Sequence, residues 1–308
     1  MEKILVTGAN GMLASNIIEQ LARQDYTVIG TVRTGRSYPG VVTKNIRIAE
    51  ADFKDADAME ELIAGCDAVL HAAAMTSQSC RDYSEYRRVN AEATRMLAGL
   101  AAAHSVKTFV YVSTANTIGF GGDESREMVY PFTESYYARS KKEAEDAVLP
   151  YRDRMRVVIV NPTFMIGKYG SAQGSNRVFS MVRKSPAVFY PSGGKNVLDV
   201  GEAAKGIILA MQRGRNGEKY LICGKNYSYR ELFRLLSARL DVRRLYIPIP
   251  DFALRLAGYA GELASRAGIA TELTRVNMDI LTVDNFYTTD KAHWDLGFNP
   301  QEEILQIG

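Results

Sequence analysis

The first half of the chain alternates short apolar runs with helical stretches, and this alternation limits the possible folds more than any other feature. Predicted strands occupy 3–7, 27–32, 45–49, 68–71, 108–113 and 156–160, with predicted helices between them at 12–23, 55–64, 82–103 and 134–149. Strands with so little polar alternation are covered on both faces, and strands joined by helices pair in parallel. The pattern predicts an α/β fold with a doubly wound parallel sheet.

The second half is less regular. A passage rich in Gly, Ser and Lys at 167–176 precedes helical patterns at 201–213, 229–239, 252–266 and 289–295 and a short strand at 219–223. We expect one domain at 1–165, to which segments at about 195–225 and 283–298 contribute, and a smaller region at 166–308. The stretch 252–269 is amphipathic, but Arg255, Glu262 and Arg266 interrupt it, so we expect a helix packed on the core rather than a membrane-seeking one.

Composition narrows the range of partners. The 308 residues carry 38 Lys and Arg against 35 Asp and Glu, and a net charge of +3 is too balanced for a nucleic-acid-binding protein. Cys66, Cys80 and Cys223 are widely spaced, which argues against disulfides and a cysteine-built metal site. No basic leader or apolar run of about 18 residues occurs. We expect a cytoplasmic protein with a small-molecule substrate and without a metal, nucleic-acid or membrane partner.

A glycine-rich loop, Thr7-Gly-Ala-Asn-Gly-Met-Leu-Ala14, directly follows the first predicted strand. One glycine makes a tight turn, the other lets the backbone approach a pyrophosphate, and the following helix offers free N–H groups to the anion. At this place in an α/β pattern the loop predicts dinucleotide binding, and a plain tight turn is the alternative. The predicted contacts are Gly8, Asn10, Gly11, Met12 and Leu13.

The residues after the second strand bear on the choice of dinucleotide. An acidic residue there would bind the ribose 2′-hydroxyl of NAD, but this chain has Arg33 and Arg36 instead. Guanidinium groups suit a 2′-phosphate and therefore favour NADP, with NAD as the alternative cofactor and solvated surface charge as the alternative role of the arginines. After the third strand, Asp52 and Phe53 are placed to face the adenine, although Asp52 could instead cap the next helix.

Tyr137 and Lys141 are four residues apart in a predicted helix and therefore share one face. An ammonium at that distance would lower the phenol pKa from about 10 and make Tyr137 a general acid–base. Such a pair is often only a solvated helix face. Here, however, Ser113-Thr114 and Asn161-Pro162-Thr163 end neighbouring strands at the sheet edge where open α/β sheets bind ligands.

Together these motifs resemble the extended short-chain dehydrogenase/reductase family, within the NAD-dependent epimerase/dehydratase superfamily, over nearly the whole chain. The motifs are Thr7-Gly8-x-x-Gly11, Asp52, His71-Ala-Ala-Ala74, Asn90, Ser113-Thr114, Tyr137-x-x-x-Lys141, Asn161-Pro162 and Asp290-Lys-Ala…Leu296-Gly297. The resemblance implies a Rossmann-type dinucleotide-binding domain at 1–165 and a mainly substrate-binding region at 166–308. Ala14 departs from the family's usual glycine, but alanine is small, so we expect cofactor binding to be retained.

The resemblance also implies residue roles. Tyr137 would exchange a proton with the substrate oxygen, Lys141 would hold the nicotinamide ribose, and Thr114 would hydrogen-bond the substrate oxygen, with Ser113 as the alternative hydroxyl. Further cofactor contacts are implied at Ala72, Ala73, Ala74, Asn90, Tyr137, Lys141, Pro162 and Thr163, and His71 is expected to be structural. The expected substrate pocket is lined from 75–80, 116–132 and 164–192, with candidate contacts at Thr76, Asn116, Phe164 and Arg177 and further cations at Lys168 and Arg183.

Two absences indicate the reaction. The arginine that clamps the diphosphate in sugar-nucleotide enzymes of the family is missing from 193–200, where Lys195 could contact a phosphate less selectively. The acidic pair of the dehydratases is replaced by Ala115-Asn116. The chain looks most like the dihydroflavonol-reductase-like branch, which implies NADPH-dependent reduction of a ketone or aldehyde. A nucleotide-sugar epimerase and a non-catalytic NADP-binding redox sensor are the alternatives, and a homodimer through 82–103 and 134–149 is a further expectation.

Overall fold

A parallel sheet of seven strands forms the centre of the protein, whose structure is a computed structural model describing residues 2–77, 82–171, 174–269 and 271–301. The strands are β1 (Lys3–Thr7), β2 (Thr27–Val32), β3 (Ile46–Glu50), β4 (Ala68–His71), β5 (Thr108–Val112), β6 (Arg156–Pro162), β7 (Phe164–Ile166), β8 (Ala187–Tyr190), β9 (Gly194–Asp199), β10 (Lys219–Ile222), β11 (Lys225–Ser228), β12 (Leu245–Pro248) and β13 (Asp284–Asn285). The helices are α1 (Met12–Ala22), α2 (Ala56–Ile63), α3 (Tyr83–Tyr86), α4 (Ala93–Ala103), α5 (Tyr136–Val148), α6 (Arg177–Lys184), α7 (Val200–Arg213), α8 (Tyr229–Arg239), α9 (Asp251–Arg266), α10 (Arg275–Ile280) and α11 (Lys291–Leu296).

The central sheet has the order β10-β6-β5-β4-β1-β2-β3, and its paired strands are all parallel. From β1 the chain builds outward to β2 and β3, then returns to the other side of β1 for β4, β5 and β6. The order therefore reverses between β1 and β4, and ligands of open α/β sheets bind at such a reversal. The predicted doubly wound parallel sheet is confirmed.

Each face of the central sheet carries its own apolar core. On one face α1, α7 and α11 pack against the strands, and on the other face α2, α4 and α5 do so. The small residues Ala91, Ala98 and Ala101 lie in the second core and are at most 2% exposed. Packing within one chain therefore accounts for them, and the homodimer stays a prediction.

The region after β6 builds two small sheets that the sequence pattern did not predict. One contains β9 between β11 and β13, with β7 also paired to β9, and the other pairs β8 with β12. The predicted strand at 219–223 instead joins the central sheet as β10, parallel to β6. Strands of two to six residues, such as β13 and β9, are too short to show periodicity.

Helix α9 contradicts the expectation of a helix packed on the core. Phe252, Leu256, Tyr259 and Leu263 are each more than half exposed. The buried face is narrow because Gly258 and Gly261 lie against the backbone just before and at the start of α10, where an added Cβ would clash. Even so, no helix within the described residues is both long and apolar enough to cross a membrane.

Candidate active site

The glycine-rich loop lies at the carboxyl end of β1, beside the reversal of strand order. Gly8 has a φ of +76°, and a Cβ there would lie 3.0 Å from the Cα of Ala73 in the loop after β4. Gly11 is the N-cap of α1 and supplies no side-chain cap. The Ser15 hydroxyl fixes the loop by bonding the carbonyls of Ala9 and Gly11, at 2.9 and 2.8 Å. A bare helix N-terminus behind two glycines fits a pyrophosphate.

The other predicted loop contacts surround this N-terminus. Asn10 and Met12 are partly exposed, whereas Leu13 is buried in the core. Ala14, which replaces the family's usual glycine, is 2% exposed and packs in the same core. The Ala14 methyl group is therefore accommodated in the core beneath the loop.

His71 is fully buried at the end of β4 and holds the neighbouring loop. Its Nδ1 lies 2.7 Å from the Thr7 hydroxyl, and its Nε2 lies 2.9 Å from the Thr94 hydroxyl. Because Thr94 donates to a backbone carbonyl and Thr7 accepts the N–H of Ala73, the network assigns the proton to Nε2. Burial, with the nearby Lys141 charge, lowers the pKa of His71 to about 3. His71 is therefore neutral, as a structural residue should be.

Asn90 lies in a π-helical turn, Arg87–Glu92, that interrupts the continuous helix predicted at 82–103. Its amide accepts the N–H of Met75 at 2.8 Å and donates to the Met75 carbonyl at 3.1 Å. It also donates to Ser140 at 3.0 Å, and Ser140 donates to the Tyr137 carbonyl at 2.8 Å. One side chain thus ties the loop after β4, which contains Ala72, Ala73 and Ala74, to the first turn of α5.

The two arginines predicted to select NADP follow β2 in a tight turn. The N–H of Arg36 donates to the Arg33 carbonyl at 3.0 Å, and Gly35 between them has a φ of +73°. Both side chains are exposed, and neither pairs with a carboxylate within the described ranges. Both guanidinium groups are therefore free to bind an anion.

Asp52 does not cap the next helix, so that alternative is wrong. The N-cap of α2 is Asp55, whose carboxylate accepts the N–H of Ala58 at 3.2 Å. Asp52 instead accepts the N–H of Lys54 at 3.1 Å and pairs with its ammonium at 3.2 Å. Phe53 is 8% exposed and packs on His71, with ring centres 5.5 Å apart. Contacts of Asp52 and Phe53 with adenine stay a prediction.

Tyr137, Thr114 and Lys141 come together where the end of β5 meets α5. The Thr114 hydroxyl lies close enough to the phenol of Tyr137 to affect its pKa. Lys141 donates from Nζ to the Val112 carbonyl at 2.7 Å and lies 4.3 Å from the centre of the Tyr111 ring. The carboxyl edge of the sheet therefore holds two interacting hydroxyls beside a fixed ammonium.

The pKa of Tyr137 differs from the sequence-based expectation. Burial raises the pKa of Tyr137 to about 12, partly opposed by the nearby Thr114 hydroxyl. Burial also lowers the pKa of Lys141 to about 7, opposed by the charge of Glu145. The expected lowering of the tyrosine pKa by Lys141 is wrong for this structure because the ammonium is directed to the Val112 carbonyl. Spacing places both residues on one face but does not set the direction of the ammonium.

The two candidate hydroxyls at the end of β5 face different surroundings. Ser113 is 4% exposed and donates to the buried Glu145 carboxylate at 2.6 Å. Thr114 is partly exposed, accepts the N–H of Asn116 at 3.3 Å and faces Tyr137. This geometry favours Thr114 over Ser113 as the hydroxyl that would contact a substrate.

Glu145, one turn after Lys141 on α5, is a residue that the sequence analysis missed. It is fully buried, and its carboxylate joins the segment directly after β5 to β6 and β10. Its donors are Ser113 Oγ at 2.6 Å, Thr117 Oγ1 at 2.6 Å, Asn161 Nδ2 at 2.7 Å and Lys219 Nζ at 2.5 Å. The spacing Tyr137, Lys141, Glu145 along one helix face is the signal that could have found it.

At the end of β6, Pro162 and Thr163 approach the same edge of the sheet. The Thr163 N–H donates to the Ile222 carbonyl at 3.1 Å. Its side-chain hydroxyl is buried and has no hydrogen-bond partner in the part of the chain that the structure describes. A buried hydroxyl without a partner fits the predicted contact with the nicotinamide end of a dinucleotide.

The predicted substrate residues are not all brought together. Asn116 Oδ1 accepts from Asn285 Nδ2 at 3.4 Å, and the Phe164 ring lies beside Lys195. Thr76 is exposed, and of the predicted lining 75–80, residues 78–80 lie outside the described residues.

The cations predicted around the pocket are largely engaged elsewhere. Arg177 is exposed and lies 3.4 Å from Glu272, and Lys168 lies 2.8 Å from Glu19 on α1. Arg183 is exposed on α6. Arg177 and Lys168 therefore face carboxylates of the protein itself, which weakens the case for either as a substrate contact.

Comparison with known proteins gives consistent matches. The model of the NAD dependent epimerase/dehydratase family matches residues 4–223. A putative dihydroflavonol 4-reductase from Synechocystis sp. is 27% identical, and the alignment covers 98% of this chain and 91% of the relative. A second relative is 26% identical, with 96% of this chain and 91% of the relative aligned. It is the 4-hydroxy-2-methyl-3-oxo-4-farnesyl-3,4-dihydroquinoline-1-oxide ketoreductase from Stigmatella aurantiaca. A UDP-glucose 4-epimerase from Vibrio cholerae is 25% identical, with 99% and 94% covered.

The fold is shared with solved structures over the same extent. The crystal structure of gox2253 aligns with a TM-score of 0.82 at 26% identity, covering 97% of this chain and 94% of that chain. The relatives thus include reductases and an epimerase, so similarity alone leaves both reactions open.

Proposed function

This chain belongs to the NAD-dependent epimerase/dehydratase family, and we propose that it is an NADP(H)-dependent oxidoreductase that reduces a ketone or aldehyde, or oxidises the corresponding alcohol. The observation that carries the proposal is the placement of the Tyr137 phenol beside the Thr114 hydroxyl, with Lys141 one turn further along α5. These groups lie at the carboxyl edge of the sheet, on the side of β1 where the strand order reverses. A redox sensor without turnover would not need such an arrangement.

The cofactor fits the residues present. Gly8, Gly11 and the N-terminus of α1 would hold the pyrophosphate, and the free hydroxyl of Thr163 would face the nicotinamide end. When bound, the nicotinamide supplies or accepts the hydride. Arg33 and Arg36 support NADP over NAD because they are exposed where a 2′-phosphate would lie and pair with no carboxylate of the described residues.

The chain's own residues would handle the proton. In the reducing direction, Tyr137 donates its phenolic proton to the carbonyl oxygen as negative charge develops there, and Thr114 donates a hydrogen bond to the same oxygen. The raised pKa of Tyr137 keeps the phenol protonated before this step. The ammonium of Lys141, fixed by the Val112 carbonyl, would hold the ribose and oppose the charge left on the phenolate.

The rival function is a nucleotide-sugar epimerase, which the similarity to the Vibrio cholerae enzyme favours. An epimerase returns its hydride within each turnover and consumes no net NADPH, whereas a reductase consumes one NADPH per product. The discriminating experiment follows NADPH absorbance with a panel of ketones and aldehydes, and follows UDP- and GDP-sugars by NMR with NAD added. We expect stoichiometric NADPH consumption on a carbonyl. Conversion of a nucleotide sugar without net NADPH consumption would establish the rival.

A further inference from the structure

Lys195 in β9 is a half-buried cation for which the described residues supply no counter-ion. Its Nζ lies 5.4 Å from the centre of the Phe164 ring, and no carboxylate or carbonyl within the described ranges bonds to it. Burial lowers the pKa of Lys195 to about 8. An aromatic face offsets only part of the cost of a desolvated ammonium. The cation would therefore gain from an anion that the chain itself does not supply.

A second unpaired polar group lies next to Lys195. Asn285 is the register partner of Lys195 across β13 and β9, and such partners in parallel strands project to the same face. Asn285 is 5% exposed, and its Oδ1 has no hydrogen-bond partner among the described residues. If both the Asn285 and Asn116 amide groups are turned by half a rotation, their mutual hydrogen bond is kept. The Asn285 amide then places an N–H donor where its Oδ1 now lies.

These groups adjoin the proposed reaction centre. Asn116 donates its backbone N–H to the hydroxyl of Thr114 at 3.3 Å, which connects the amide pair to the catalytic hydroxyls. Phe164 directly follows Thr163 and begins β7, which pairs with β9. Lys195 thus lies between the segment that follows the catalytic hydroxyls and the segment that follows the nicotinamide contact.

We propose that Lys195 binds a carboxylate of the substrate, so that the substrate is an oxo acid and the product is the corresponding hydroxy acid. This inference rests on the proposed function. The hydride from NADPH goes to the carbonyl carbon and the proton from Tyr137 to its oxygen, giving NADP⁺ and a secondary alcohol, while the carboxylate does not react. Lys195 and Asn285 recognise this carboxylate.

A monoanionic carboxylate suits this site better than a diphosphate. Arg177 and Lys168, the cations predicted around the pocket, already face Glu272 and Glu19, whereas Lys195 has no carboxylate partner among the described residues. A diphosphate is matched by several cations or by the two-pronged guanidinium of an arginine, and a lysine acts only as a point charge. One positive charge with a neutral amide beside it is the complement of one carboxylate.

The test compares acids with esters on identical carbon skeletons. A series of 2-, 3- and 4-oxo acids and their methyl esters is assayed by NADPH consumption with wild-type protein and with Lys195→Met, Lys195→Arg and Lys107→Met. Lys107 is an exposed lysine directly before β5, at the amino end of the sheet, and serves as the control. We expect at least one acid to exceed its ester by about 10-fold or more in kcat/KM, and Lys195→Met to lower the acid value by about 10- to 100-fold while leaving the ester within about 3-fold. Lys195→Arg should retain part of the preference.

A binding experiment separates failure of this inference from failure of the proposed function. Calorimetry with the protein–NADP⁺ complex compares a medium-chain carboxylic acid with its primary amide, and no turnover is required. We expect the acid to bind more tightly than the amide, and Lys195→Met to remove the difference. If esters are reduced as fast as acids, or if acid and amide bind alike, the carboxylate subsite is refuted and carbonyl reduction stands. If UDP-glucose binds and carboxylates do not, Lys195 serves a diphosphate. If carboxylates bind but NADPH is consumed on no carbonyl, the proposed function fails instead.

Discussion

Two charged side chains, the fully buried Glu145 and the half-buried Lys195, have opposite surroundings in this protein. Glu145, under the end of the central sheet, accepts hydrogen bonds from four side chains that lie directly after β5, in β6 and in β10. Lys195, in the small sheet after β6, has an aromatic ring beside it and no acceptor in the described part of the chain. A fully paired buried charge holds its neighbours in place, whereas an unpaired one costs stability unless a ligand completes it. The difference separates a positioning group from a recognition group.

Removal of the paired charge should have the larger effect. Glu145→Ala leaves three buried donors and the Lys219 ammonium without their acceptor, so we expect a loss of about 3–5 kcal/mol in the free energy of unfolding. Glu145→Gln keeps one carbonyl acceptor and should lose less. Urea denaturation followed by circular dichroism measures both variants. A loss below about 1 kcal/mol for Glu145→Ala would show that the network contributes little.

The milder variant also tests whether Glu145 positions the reaction centre. In Glu145→Gln we expect kcat to fall even where the variant is fully folded. The reason is that Thr117 and Asn161 hold the segment that carries Thr114. Burial lowers the pKa of Lys141 and Glu145 opposes that shift, so loss of the charge should lower the Lys141 pKa further. The high-pH limb of kcat should then move to lower pH. A purely structural role would leave the pH profile unchanged.

Much of this arrangement could be read from the sequence, and the part that could not has physical causes. The bounds of β1, β2 and β4 match their prediction because strands buried on both faces leave continuous apolar runs. The glycine loop and the Tyr137–Lys141 pair are local patterns and were found as such. The four partners of Glu145 come from distant segments, and the isolation of Lys195 is a property of the packed chain. No local pattern encodes either one.

A smaller effect, on the Kd for the cofactor, should show whether Arg33 and Arg36 bind NADPH or are only solvated surface charges. In Arg33→Ala we expect the Kd for NADPH to rise about 10-fold and the Kd for NADH to stay within about 2-fold, because only NADPH carries the 2′-phosphate. Fluorescence titration of the wild type, Arg33→Ala, Arg36→Ala and the control Arg47→Ala measures this. Equal effects on both dinucleotides would refute the assignment of NADP.

Removal of the Lys195 charge should raise the free energy of unfolding, whereas removal of the Glu145 charge should lower it. The pKa of Lys195 is lowered to about 8 from an ordinary value of 10.5, so the unfolded chain binds more protons between these values and stability rises with pH there. We expect Lys195→Met to be about 1 kcal/mol more stable than the wild type at pH 7, with a smaller gap at pH 9.5. Equal stability at both pH values would indicate that the ammonium is solvated.

The proposed reaction requires Tyr137 to deliver a proton to the carbonyl oxygen. The neighbouring Tyr136 offers a matched control because it is an exposed tyrosine on the same helix. The most direct measurement is kcat for NADPH-dependent reduction by the wild type, Tyr137→Phe and Tyr136→Phe, with the Kd for NADPH measured for each. We expect Tyr137→Phe to lower kcat by about 10²- to 10⁴-fold with NADPH binding within about 3-fold, and Tyr136→Phe to behave as wild type. Undiminished turnover by Tyr137→Phe would contradict the account.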